Sequence, residues 1–263
     1  MPVKAGHIGV ATGAQACLEA YVRSPHVDRV AFCAPASAAA AALCQRYGII
    51  KQTTDDAATL LADPEVALVS LTVPLADQPA LAAQALQAGK PVLCRAPLAP
   101  TLTEADALLA TAQVTGRRLL PALYEPWLPA HVRAKALLAE GERGPLVLAS
   151  ILILAAAPPE EELVDLVQPV ALLEDFCGPA RAVTALRVGG TLLAGLEFSD
   201  ALAGQLTFCY AASGDQPATE RRLVTTTGSF LIRDNPEDEW PLLFLSADEF
   251  RPLKVKNPPQ IAA

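Results

Sequence analysis

Val3-Lys4-Ala5-Gly6-His7-Ile8-Gly9-Val10 runs straight into Ala11-Thr12-Gly13-Ala14-Gln15-Ala16 and then into a longer stretch of helical period. An apolar run that closes on glycines and opens a helix is the first half of a strand-helix-strand unit. The same alternation continues outward to about residue 122. Further strands are expected near Arg29 to Cys33, Leu68 to Leu71, Pro91 to Cys94 and Arg118 to Ala122, with a shorter one near Lys51. Each is followed by a segment able to cover a sheet as a helix, which predicts parallel strands. Ser37 and Thr103 are expected to cap helix starts, the latter with Asp106 three residues on. Gly48, Gly89 and Gly116 fall just past expected helix ends.

After a connecting helix over Leu128 to Glu140 the pattern changes. Strand-like segments now succeed one another: Val147 to Leu154, Ala182 to Arg187, Leu192 to Phe198, Gln205 to Tyr210, Arg222 to Thr226, Phe230 to Arg233 and Leu242 to Leu245. One helical stretch interrupts them, about Glu160 to Phe176, and Gly189-Gly190 and Thr227-Gly228 supply turns. This order predicts an α+β domain with a mostly antiparallel open sheet. The expected division is residues 1–122 and 123–263. Leu192, Ala194, Leu196 and Phe198 alternate along one strand, as do Leu206, Phe208 and Tyr210 along the next. One helix cannot cover a whole sheet, so a homodimer through this sheet is expected.

The chain has 263 residues, 52% of them hydrophobic, and a formal net charge of -8. It has no uninterrupted apolar run of about 18 residues, the length a membrane-spanning helix needs, and Met1 to Lys4 lead directly into a strand rather than a secretion signal. A soluble, cytoplasmic protein is expected. The 6 cysteines (Cys17, Cys33, Cys44, Cys94, Cys177 and Cys209) form no CxxC pair, so buried thiols rather than a metal site or disulfide framework are expected. The acidic balance opposes a polyphosphate backbone, and the basic doublets Arg117-Arg118 and Arg221-Arg222 sit in strand-like segments. Nucleic acid is not an expected partner.

The order of elements and several local phrases resemble the Gfo/Idh/MocA family, the group of glucose-fructose oxidoreductase and inositol dehydrogenase. The phrases are Ile8-Gly9-Val10 leading into Thr12-Gly13, Arg46-Tyr47-Gly48, Leu61-Ala62-Asp63-Pro64-Glu65-Val66, Ala88-Gly89-Lys90-Pro91-Val92-Leu93-Cys94 and Pro97-Leu98-Ala99, with a looser match at Glu239-Trp240-Pro241. The resemblance implies a Rossmann-type doubly wound sheet followed by an open-sheet domain that often pairs subunits face to face. It also implies NAD or NADP as cofactor and a small molecule held between the domains.

Carried onto this chain, the resemblance places the dinucleotide against Ala11, Thr12, Gly13, Ala14, Gln15, Ala34, Thr72, Pro74, Gln78 and Arg95. A Rossmann loop binds diphosphate because glycines let the backbone approach it and a helix N-terminus offers free amides. In the window Ala11 to Ala16 the middle glycine, Gly13, remains. A methyl at Ala11 costs roughly 1 kcal/mol if that residue needs a positive φ. Ser37 reads as a helix cap rather than a phosphate ligand. The strand that usually ends on the ribose-binding carboxylate ends here Cys33-Ala34-Pro35-Ala36-Ser37. Losing that charge-assisted bond, about 1.5 to 3 kcal/mol, weakens binding about ten- to a hundred-fold or somewhat more. In Thr72-Val73-Pro74-Leu75-Ala76-Asp77-Gln78, Leu75 and Gln78 stand where the family carries polar groups, so weak or absent dinucleotide binding is expected.

The family's Glu-Lys-Pro at the fifth strand is here Arg95-Ala96-Pro97, so Ala96 replaces the lysine. Its helix motif, whose histidine acts as acid and base, aligns with Asp165-Leu166-Val167-Gln168-Pro169-Val170-Ala171-Leu172, with Pro169 at the histidine and Leu172 at the second carboxylate. The 3 histidines, His7, His26 and His131, read as structural or solvated, and none follows residue 131. Tyr124-Glu125-Pro126-Trp127 stands where the family often has Asn-Arg-Arg-Phe, and three of these residues are able either to line a cleft or to pack at a junction. Two readings stay open. One is a non-catalytic homologue that binds a ligand or pairs subunits. The other is an active oxidoreductase on a sugar- or polyol-like substrate, with Arg95, Tyr124 or Asp165 in substituted catalytic roles.

Overall fold

The computed structural model describes residues 1–11, 13–155, 162–210, 218–233, 241–246 and 250–255. The chain divides into two compact units, Met1–Ala122 and Leu123–Ala263. In the first, strands β1 (Val3–Ile8), β2 (Val27–Cys33), β3 (Ile50–Thr54), β4 (Val66–Leu71), β5 (Val92–Arg95) and β6 (Leu119–Ala122) alternate with helices α1 (Ala14–Arg23), α2 (Ala38–Arg46), α3 (Ala57–Ala62), α4 (Gln78–Gln87) and α5 (Leu102–Thr115). The sheet order is β3-β2-β1-β4-β5-β6 and every pairing is parallel. This is the doubly wound arrangement predicted from the alternation, with the strand order reversing between β1 and β4.

Ser37 caps α2 as expected, accepting from the Ala40 amide at 3.1 Å. The α5 cap needs correcting: it is Thr101, not Thr103. Thr101 accepts from the Glu104 amide at 3.3 Å and its hydroxyl donates to the Glu104 carboxylate at 2.7 Å. That reciprocal box satisfies two groups at once, which a Thr103 start with Asp106 does not match.

His7 is wholly buried in β1. Its Nδ1 lies 2.7 Å from the Ser70 hydroxyl and its Nε2 3.0 Å from that of Thr72. The ring also lies parallel to Phe32, with centroids 5.8 Å apart. Burial pushes the His7 pKa down to about 4, against an opposing backbone hydrogen bond at Gly9.

The second unit begins with a 3-10 turn (Glu125–Trp127) and α6 (Pro129–Ala139), followed by β7 (Leu146–Leu154) and α7 (Glu162–Cys177). Seven strands complete it: β8 (Ala182–Val188), β9 (Thr191–Ser199), β10 (Leu202–Cys209), β11 (Ala218–Thr225), β12 (Ser229–Arg233), β13 (Leu242–Leu245) and β14 (Phe250–Pro252). They form one sheet, β14-β13-β12-β11-β7-β10-β9-β8, antiparallel except where β10 runs parallel to β7. The sequence reading missed β14, whose three residues end in a proline and start with an exposed phenylalanine.

The core of this unit packs Ala130, Ala134 and Leu137 of α6 and Leu172 and Leu173 of α7 onto one sheet face. Phe230 and Phe244 meet edge to face there, with centroids 5.0 Å apart. The alternating residues expected at a subunit interface require correction. Leu196, Phe198, Leu206, Phe208 and Tyr210 belong to this core, beneath the helices. The face with the larger side chains gains most by burial, so the helices cover it. The opposite face instead carries Leu186, Leu193, Thr207 and Leu152, which lie in one row across β8, β9, β10 and β7.

The low His7 pKa gives stability a pH dependence of definite sign. Below its ordinary pKa of about 6.5 the unfolded chain takes up a proton that the folded chain refuses until about pH 4. Stability therefore falls as pH drops through that window, by about 2 to 3 kcal/mol between roughly pH 7 and pH 4.5. Urea midpoints at both pH values, for the native protein and for His7→Gln, check this; the variant should lose that part of the slope, and equal slopes would contradict it.

Candidate functional site

The carboxyl ends of the parallel strands are where an open α/β sheet offers a binding crevice. At the exit of β1, Gly9 adopts φ +103°, and a Cβ there would lie 2.1 Å from the Thr72 carbonyl oxygen. No other residue type fits that approach without moving backbone. The Gly9 amide donates to Cys33 O at 2.9 Å and the Ala11 amide to Thr72 O at 2.9 Å, so the loop is anchored to the ends of both flanking strands. Gly13, at φ +99°, stands just before α1, and Ala14 opens that helix with 3% exposure.

These positions shift the glycine register predicted for the loop. The tight turn is at Gly9, the backbone-approach position is Ala11, and the helix-packing position is Ala14, which matches the two- and three-residue spacing of a dinucleotide fingerprint. The window Ala11 to Ala16 is therefore two residues too late, and the surviving glycine is the first, not the middle one. Ala11 has no positive φ, so the expected strain is absent; its methyl instead stands where a diphosphate approaches the backbone. Gln15 is turned along α1, donating to Glu19 at 3.0 Å. Thr12 lies outside the described residues.

At the end of β2, Ala34 is buried and donates its amide to Thr54 O at 3.1 Å. Thr72, at the end of β4, is buried against His7 and the loop, whereas Pro74 is exposed. Gln78 corrects a second expectation. It is wholly buried, its amide nitrogen donates to Arg95 O, Pro97 O and Leu98 O at 2.9 to 3.1 Å, and its oxygen accepts from the Arg95 amide at 3.1 Å. It braces the exit of β5 and has no donor left for a cofactor. That brace holds Arg95 half-buried and Ala96 buried.

In the second unit, Tyr124 is 60% exposed, and its amide donates to the Gln168 side chain at 3.2 Å. The turn and α7, read separately from the sequence, thus meet within this unit. Glu125 does not line a cleft: it is buried, with its carboxylate 2.9 Å from Arg221 on β11. The Glu125 carbonyl accepts from His131 Nδ1 at 2.6 Å, and His131 is itself buried. Sequence reading missed this cluster; the signal was strand alternation at Arg221-Arg222, which turns one of the two cations inward. Trp127 and Asp165 are exposed, while Pro169 and Leu172 are buried within α7.

Chemically, the β1-to-α1 turn offers a glycine-lined backbone and a helix N-terminus, which fit the diphosphate of a dinucleotide. The ends of β2 and β5 carry the buried Ala34 and Ala96.

Residues 3–123 match the family described as "Oxidoreductase family, NAD-binding Rossmann fold". The Gfo/Idh/MocA match covers less than half of the chain. The fold of the whole chain is similar to that of several solved structures. An NAD-binding oxidoreductase from Klebsiella pneumoniae superposes with a TM-score of 0.82 at 20% identity, covering 97% of this chain and 80% of that one. Levoglucosan dehydrogenase in complex with NADH gives 0.83 at 21% identity, covering 96% and 80%. Biliverdin reductase from Synechocystis, in complex with biliverdin and NADP+, gives 0.79 at 21% identity, covering 98% and 86%. No curated protein sequence matches the chain. Among the described residues no helix is long and apolar enough to cross a membrane. The Gfo/Idh/MocA assignment thus rests on the first unit, and the solved structures extend the fold, but not the chemistry, to the second.

Proposed function

We propose that this chain is a non-catalytic Gfo/Idh/MocA homologue that keeps the dinucleotide scaffold, holds NAD or NADP weakly, and acts as a ligand-binding or subunit-pairing module. The observation that carries this reading is the pair Ala96 and Pro169, both buried and neither able to accept a proton. Oxidising an alcohol by hydride transfer requires the hydroxyl proton to leave in step, and a positioned base contributes about a hundred- to ten-thousand-fold to the rate. The guanidinium of Arg95 is a poor proton carrier, and His7 and His131 are buried in structural contacts. A cytoplasmic setting is proposed with it, since all six cysteines are free thiols.

A second reading, an active oxidoreductase with substituted groups, is favoured by the likeness over 98% of the chain to a reductase holding biliverdin and NADP+. Reduction of a conjugated system draws its proton from solvent more readily than alcohol oxidation loses one, so such a substrate makes less demand on a base at Ala96 or Pro169. Tyr124 or Asp165 would then assist. Steady-state assays over sugars, inositols and their oxidised forms, and over a conjugated linear tetrapyrrole, with NAD and NADP, separate the two. No turnover is expected; turnover that disappears in Tyr124→Phe or Asp165→Asn would establish the second reading.

Subunit pairing is proposed through the sheet face opposite the helices. Leu152, Leu193 and Leu186 are 37%, 39% and 59% exposed in a single row there, and the partner that matches such a face is a second copy of it. Light scattering should give a dimer mass, and Leu152→Glu with Leu193→Glu should give a monomer. A monomer mass for the native protein at all working concentrations would contradict this.

A further inference from the structure

Strands β2 and β3 end side by side at the edge of the parallel sheet. Cys33 pairs with Thr54, and the Ala34 amide donates to Thr54 O at 3.1 Å. The two residues that follow β3, Asp55 and Asp56, therefore emerge at the same end of the sheet as Ala34. Asp56 is held as the cap of α3, accepting from the Ala58 and Thr59 amides at 3.0 and 3.1 Å and from the Thr59 hydroxyl at 2.7 Å. The Thr59 hydroxyl bond, followed by the Ala58 amide, keeps its pKa below the usual carboxylate range. Asp55 is exposed. The charges of both reach the end of β2: the Cys33 thiol is pushed up by burial first, then by Asp56 and Asp55. From Cys33 to Cys44 the sequence contains no lysine or arginine to offset them.

We propose that Asp55, backed by Asp56, selects NAD over NADP in this chain. The carboxylate absent from the end of β2 at Ala34 is replaced in its discriminating role by charge on the neighbouring strand. The inference rests on the dinucleotide reading above. A 2′-phosphate at the end of β2 would bring about two negative charges to the strand end that neighbours the one Asp55 follows, and repulsion between like charges there would be screened by added salt. An NAD ribose brings none. Asp55 repels the phosphate without holding the ribose diol, so the effect is selectivity rather than tight binding.

Titration of the full chain with NADH and NADPH, followed by nucleotide fluorescence at low salt, tests this. NADPH is expected to bind about five- to tenfold more weakly than NADH, with the gap closing as salt is raised. Asp55→Lys, at an exposed position that precedes the α3 cap but makes none of the capping hydrogen bonds of Asp56, should tighten NADPH about tenfold and leave NADH nearly unchanged. If NADH binds and Asp55→Lys leaves the ratio of affinities where it was, this inference falls and the dinucleotide reading stands. If neither nucleotide binds at millimolar concentration in either protein, both fall.

Discussion

The contact between Gly9 and the carbonyl of Thr72 governs how the first unit is built. Without a side chain, the backbone leaving β1 passes a backbone atom of the β4 exit at a distance that any Cβ would occupy, 2.1 Å from Thr72 O. The same carbonyl accepts the Ala11 amide, and the Gly9 amide reaches Cys33 at the end of β2. Three adjacent strand ends are thus locked to one loop. Beneath it, His7 joins Ser70 and Thr72 from inside the sheet, so the loop is supported by a buried polar network as well as by backbone contacts.

The polar side chains around the expected site are mostly committed to structure. Gln78 spends its amide on the backbone between Arg95 and Leu98, and Glu125 faces Arg221 in the interior of the second unit. Breaking a buried ion pair by removing one partner costs about 3 to 5 kcal/mol because the other charge is left uncompensated, so Glu125 and Arg221 are constrained to persist together. His131 is tied to the same turn through the Glu125 carbonyl. Tyr124 and Asp165 of the second unit are exposed, and Arg95 of the first is half-buried.

Most of the architecture was legible because it follows from periodicity. The parallel strands of the first unit are apolar runs separated by helical stretches, and the domain change shows as strands that follow one another without helices. The errors came where periodicity is silent. The glycine register slipped by two residues because Gly9 and Gly13 both adopt positive φ, and only the contact with Thr72 distinguishes the tight turn from the helix start. The covered face of the second sheet was misassigned because both faces of β9 and β10 alternate, and the decision depends on where α6 and α7 lie. Gln78 reads as ligand-facing, and Glu125 reads either way, because a polar residue next to a site motif looks the same in sequence whether it points at a ligand or into the protein.

The central claim is that the scaffold for a dinucleotide persists while its anchors are missing, and calorimetric titration with NADH tests it most directly. On the reading proposed above, Gly9 and the start of α1 would face the diphosphate, while Ala11 and Ala34 lack the glycine and the carboxylate that a dinucleotide fingerprint carries there. The account predicts a dissociation constant in the high micromolar to low millimolar range. A low-micromolar constant would contradict it, and would mean that this chain holds its cofactor through groups other than those at the ends of β1 and β2.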